Sequence, residues 1–130
     1  MYRPAYDMVV QGMGGIMSVT GHPGTPPTRI GMSIGDIGSG LYATIGVQAA
    51  LFHRQLTGEA TKVDIGMLDC QIALLENAVM RYQVSGTAPG PLGARHPSIT
   101  PFEAYKTKDG YIIISAGNDG LFAKLAEALE

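Results

Sequence analysis

The chain has one cysteine, Cys70, in 130 residues. A lone thiol forms no internal disulfide, and its apolar neighbours within a predicted helix read it as core, with a reactive thiol the lesser alternative. No apolar run approaches the length of a membrane-spanning helix. The opening Met1-Tyr2-Arg3-Pro4-Ala5-Tyr6-Asp7 also lacks the charged-then-apolar order of a signal peptide. A cytoplasmic protein without a membrane partner is therefore expected. Excess positive charge is missing too: nine Lys and Arg stand against eleven Asp and Glu, for a net charge of -2. Such a chain has no basic surface to draw nucleic acid or an anionic bilayer. His22, His53 and His96 show no HxH or HxxxH spacing and there is no cysteine pair, so no metal site is expected.

Nucleotide and hydrolase motifs are absent as well. There is no GxxxxGK[ST] loop. Neither QGMGG at 11–15 nor GDIGSG at 35–40 follows the G-x-G-x-x-G order with a preceding strand and a later ribose-binding acid. Ser39 and Ser98 lack the G-x-S-x-G setting of an activated serine.

Glycine is abundant, at 18 residues with 8 prolines, and 45% of the chain is hydrophobic. The glycines are interspersed with apolar residues, which predicts backbone brought close to other backbone or to a ligand. Residues 1–40 read as loop-rich, with short apolar stretches at Met8–Val10 and Ile16–Val19. From Ser39, the recurrence of Leu41, Ile45, Phe52 and Leu56 predicts a helix stopped by Gly58. Thr61–Ile65 reads as a short strand. Met67–Val84 reads as a second helix, burying Leu68, Ile72, Leu75, Val79 and Tyr82 and ending at Gly86. GTAPGPLGARHP, from Gly86 to Pro97, is a long loop of the kind that is often functional. Phe102–Lys106 and Tyr111–Ser115 flank an Asp-Gly turn and predict a hairpin, followed by a helix over Asp119–Glu130 capped by Asn118.

One acid stands out. Asp36 lies between Gly35 and the Ile37-Gly38-Ser39-Gly40 run, just ahead of the predicted helix. Its ordinary reading is an N-cap, since a carboxylate there accepts backbone N–H bonds and complements the helix dipole. The small neighbours Gly35, Gly38 and Gly40 also leave it accessible, and an accessible carboxylate can act as a nucleophile.

PAYDMVVQGMGGIMSVTG (4–21), GDIGSGLYATIGVQAALFHRQLTGEATKVDIGMLD (35–69) and GARHPSITPFEAYKTKDGYIIISAGND (93–119) together resemble the class III CoA-transferase family. That group contains formyl-CoA and carnitine CoA-transferases and α-methylacyl-CoA racemase. The resemblance covers nearly the whole chain and implies an α/β fold, α+β in isolation. Residues 1–85 would be the central part of a Rossmann-like large domain holding the catalytic aspartate, 86–100 a glycine/proline-rich loop or linker, and 101–130 the start of a small hairpin-plus-helix domain. Family members have further N-terminal and C-terminal stretches, so the sequence reads as their middle segment only.

The resemblance places the catalytic aspartate at Asp36. It implies that CoA moves from an acyl-CoA thioester to a carboxylic acid through an aspartyl-CoA thioester. Coenzyme A is then a substrate, with no permanently bound cofactor, and an interlocked homodimer is expected. Tyr6, Gly35, Gly38, Met67, Gly90, Gly93, Arg95 and His96 are the implied substrate or CoA contacts, and Arg3 is a candidate for a CoA phosphate. The racemase branch carries a histidine where Tyr6 stands. A phenol is a poor proton shuttle at neutral pH, so Tyr6 favours transfer over the alternative of racemisation or epimerisation. A third reading is an inert fragment that only folds or dimerises.

Overall fold

In the computed structural model, which describes residues 5–130, the chain divides into two units, Met1–Pro91 and Leu92–Glu130. Arg3 lies outside the described residues.

The first unit is helical. Helices α1 (Asp7–Met13) and α2 (Ile16–Val19) replace the loop expected near the start, and the Gly14–Gly15 turn joins them, with Gly15 at a φ of 85°. Each helix is short enough that its apolar residues look like isolated patches in the sequence. Their inner faces nonetheless supply Val10 and Ile16 to a small core with Cys70 and Ala78.

The long helix α3 runs over Ile34–Thr57 and starts five residues ahead of the sequence expectation. Glycines suppressed the periodic signal in its first two turns, since they weaken an isolated helix but allow close packing here. At its end, Gly58 adopts a φ of 78° and its N–H donates to the Arg54 carbonyl at 2.8 Å, closing the helix as expected. The apolar stripe that predicted α3 is not its covered face. Leu41, Ile45, Phe52 and Leu56 are 60–71% exposed, whereas Gly35 and Gly38 are buried.

Residues 61–65 form no strand. Val63 and Ile65 turn in toward α3 at Gly46, while Lys62 and Asp64 point out and pair at 2.9 Å. The in-and-out alternation is therefore real. It packs on a helix, and the segment lacks the paired neighbour that a strand requires.

The helix predicted over 67–84 is broken into α4 (Met67–Ala73) and α5 (Asn77–Ser85). Between them the chain tightens: Leu74 N–H donates to Gln71 O and Leu75 N–H to Ile72 O, both at 3.1 Å, and Glu76 takes a φ of 50°. No Gly or Pro marks this break, so periodicity alone runs through it. The kink brings Leu74 onto Gly38 of α3, while Ile72 and Tyr82, expected inside, are 43% and 54% exposed.

The second unit contains the expected hairpin. Strands β1 (Phe102–Lys106) and β2 (Tyr111–Ser115) pair antiparallel from Phe102↔Ser115 to Lys106↔Tyr111. Thr107 N–H donates to Gly110 O at 2.9 Å across the Asp-Gly turn. Helix α6 (Asp119–Leu129) follows, with the Asn118 side chain accepting from the Leu121 N–H at 3.0 Å.

Candidate active site

The start of α3 is built by three elements. Asp7, the first residue of α1, accepts the Gly35 N–H on Oδ1 at 2.9 Å. Its other oxygen accepts from Gln11 Nε2 at 2.8 Å, one helical turn along α1. The fully buried Gln11 amide also donates to Met32 O at 3.2 Å and accepts from Ile30 N–H at 2.9 Å. Gln11 thereby ties the loop entering α3 to α1, and Asp7 supplies one of the hydrogen bonds that the first helical N–H groups lack.

This changes the role expected of Asp36. The N-cap position belongs to Ser33, and Asp36 is the third residue of the helix. The capping carboxylate is Asp7, 28 residues away in sequence. Asp36 is exposed and its carboxylate makes no hydrogen bond among the described residues. A negative charge in the first turn still interacts favourably with the helix dipole, and the side chain is left open to solvent.

The glycines around Asp36 divide by use. A β-carbon on Gly35 would lie 3.2 Å from both Asp7 Oδ1 and Gln71 Oε1, and one on Gly38 would lie 2.7 Å from Leu74 Cδ1. Both positions are therefore points of close helix packing, where the sequence reading had them as open ground beside the carboxylate. Gly40 is the open one, with nothing among the described residues within 4 Å of its β-carbon position.

Tyr6 is the N-cap of α1 and is 71% exposed. The Asp7–Gly35 hydrogen bond brings the two segments together, so Tyr6 and Asp36 each sit one residue from its ends. Met67 opens α4 and is half-buried. Gly90 is exposed, with open space where its β-carbon would be.

In the second unit, Gly93 has a φ of 64° and Arg95 is exposed. His96, kept from the sequence as a pocket residue, has a structural use. Its Nδ1 accepts from Ser98 N–H at 3.2 Å and Ile99 N–H at 3.0 Å, its backbone N–H donates to Phe102 O at 2.9 Å, and its ring packs at 5.1 Å from that of Phe102. Two donors on Nδ1 assign the proton of the neutral ring to Nε2. No group of three His, Cys, Asp or Glu among the described residues is placed to hold a metal ion, and no helix is long and apolar enough to cross a membrane.

Sequence reasoning missed Asp7, Gln11 and Gln71. The Asp7/Gln11 spacing of four was the available signal, because it puts both side chains on one face of a helix. Gln71 carried none.

The profile of CoA-transferase family III matches residues 1–130. The chain belongs to CoA-transferase family III. Succinate–glutarate CoA-transferase of Agrobacterium fabrum is 44% identical over 95% of this chain and 31% of its own length. Acetyl-CoA:oxalate CoA-transferase of Acetobacter aceti is 40% identical over 98% of this chain and 33% of its own length. Among solved structures, a CAIB/BAIF family protein from Brucella suis superposes with a TM-score of 0.82 at 44% identity, covering 98% of this chain and 34% of that one. A hypothetical protein from Mycobacterium tuberculosis gives 0.78 at 30% identity, covering 96% of this chain and 32% of that one. These neighbours support the α/β class, and the chain spans about a third of the length of the curated family III relatives it matches.

Proposed function

We propose that this chain carries the catalytic segment of a CoA-transferase that moves CoA from an acyl-CoA thioester to a carboxylic acid, with Asp36 as nucleophile. The observation that carries the reading is the division of labour between two carboxylates. Asp7 caps the helix, and Asp36, in the first turn of a 24-residue helix, is left exposed.

An Asp36 oxygen attacks the thioester carbonyl carbon. The C–S bond breaks, giving a mixed anhydride and CoA thiolate. The thiolate attacks the aspartyl carbonyl, releasing the donor acid and leaving CoA on Asp36 as a thioester. The acceptor carboxylate then displaces the thiolate, and the thiolate takes the acceptor acyl group from the second anhydride, regenerating Asp36. Two covalent stages replace one direct exchange between poor partners, and the helix N-terminus favours the negative charge that develops beside it. Tyr6 lies at the adjoining helix start and positions CoA or the aspartyl intermediate. It has no basic nitrogen to move a proton at an α-carbon, which supports transfer over racemisation. Gly35 and Gly38 serve the site through packing, with Met67, Gly90, Gly93 and His96 as further proposed contacts.

Named relatives act on succinate and glutarate, oxalate, or mesaconate. All of these are dicarboxylic acids, so a dicarboxylate is the proposed acceptor. Arg95 has one proposed task, a bidentate contact to a free carboxylate, for which a planar guanidinium is suited. Cytoplasmic residence and a homodimer belong to the same proposal.

The test follows the oxygen atoms. With an acceptor acid carrying heavy oxygen in its carboxylate, each turnover leaves one labelled oxygen on Asp36, readable in its proteolytic peptide. Transfer that proceeds with an unlabelled Asp36 would refute the covalent route.

A further inference from the structure

Gln71 is fully buried on α4, yet among the described residues neither its Nε2 nor its Oε1 has a hydrogen-bond partner. A buried primary amide with nothing to bind is unfavourable, and native interiors rarely leave one so. Gln11, the other fully buried glutamine, has all three of its contacts accounted for around the same helix junction.

Glycines on two other elements make room for the Gln71 side chain. A β-carbon on Gly14, at the end of α1, would lie 3.2 Å from Gln71 Nε2, and one on Gly35 would lie 3.2 Å from Gln71 Oε1. That second point is also 3.2 Å from Asp7 Oδ1. Two acceptor oxygens therefore flank one spot, beside the N–H that Asp7 holds. A half-turn about the terminal torsion exchanges the amide oxygen and nitrogen without moving another atom. It puts a donor in place of Oε1 at the side of Gly35 that Asp7 Oδ1 also approaches. Asp7 has capacity for this, because a carboxylate accepts about four hydrogen bonds and the structure shows two.

We propose that Gln71 is a positioning residue for Asp36: its side-chain N–H donates to the Asp7 carboxylate and, through the Asp7–Gly35 hydrogen bond, fixes the first turn of α3. The inference rests on Asp36 being the nucleophile. α4 thereby sets the angle at which α3 presents that residue, while Gln71 itself touches no substrate.

The experiment is amide hydrogen exchange by NMR, which does not require turnover. In the wild type, the Gln71 side-chain amide protons are protected, and Asp7→Ala removes that protection. In Gln71→Leu, the Gly35 N–H exchanges about tenfold faster, the size expected when a charge-assisted contact beside it is lost, while amides of α5 and of the hairpin are unchanged. Gln71→Met serves as the second variant of similar volume should Gln71→Leu fail to fold. Unchanged Gly35 exchange in the folded variant, or Gln71 protection that survives Asp7→Ala, would overturn the proposal. Covalent trapping on Asp36 is read on the same samples. Trapping that slows in Gln71→Leu at an unchanged acyl-CoA half-saturation concentration supports positioning. Wild-type protein that shows the exchange pattern but never traps acyl groups would remove the Asp36 reading while leaving the hydrogen bond in place.

Discussion

Asp36 and Asp7 show how little a residue's type says about its task. Both are acids in the first turn of a helix, and either would pass as a cap. What separates them is a hydrogen bond spanning 28 residues. Asp36 was conspicuous in the sequence because its glycine setting is unusual. Asp7 was not, because its partner is distant in sequence. Asp7→Ala orphans the Gly35 N–H and is expected to destabilise the first unit by about 1–2 kcal/mol, measured by urea unfolding, with Asp7→Asn losing less. Loss below a few tenths of a kcal/mol would show that water replaces the carboxylate freely. At His96 the two local backbone donors went unread, because a histidine in a glycine-rich loop reads equally well as a ligand. His96→Ala should loosen the loop before β1, seen as faster exchange of the Ser98 and Ile99 amides.

At the level of elements, the hairpin and α6 were legible nearly to the residue, since turn chemistry and capping are local codes. The first unit was not. Gly35 and Gly38 record contacts between helices, which no local code expresses. Gly35→Ala and Gly40→Ala test this directly, because both alter the same helix near the same end. A methyl at Gly40 meets open space and should stabilise by about 0.5–1 kcal/mol through helix propensity. A methyl at Gly35 presses on Asp7 and Gln71 and should destabilise. Equal shifts in melting temperature would refute the packing role.

The hairpin offers a pH signature. Partial burial and the Glu103 carboxylate two residues along the same strand face push the Tyr105 hydroxyl above its usual 10.0. A raised value in the fold means that the unfolded chain loses this proton first. The associated stability is complete below pH about 10 and declines as pH climbs through the raised value. Glu103→Gln should move the Tyr105 absorbance titration downward.

Across the whole molecule, the buried apolar set described is small, namely Val10, Ile16, Cys70, Ala78 and Ala116, while Leu41, Ile45, Phe52 and Leu56 of α3 are exposed. The sequence signalled a strong helix with a wide apolar stripe, and the stripe is real. Its residues are exposed among the described residues, so its periodicity predicted the helix and mispredicted the burial. Apolar faces of this size promote association. The isolated chain should show a weight-average mass that rises with concentration in sedimentation equilibrium. Strictly monomeric behaviour up to high concentration would contradict this.

Covalent acylation of Asp36 is read out by intact-mass and peptide-mass analysis after incubation with acyl-CoA and hydroxylamine. With Asp36 as nucleophile, one hydroxamate per chain is expected, mapped to the peptide holding Asp36 and missing in Asp36→Ala. A folded wild-type chain with no modification, or modification that persists in Asp36→Ala, would contradict it.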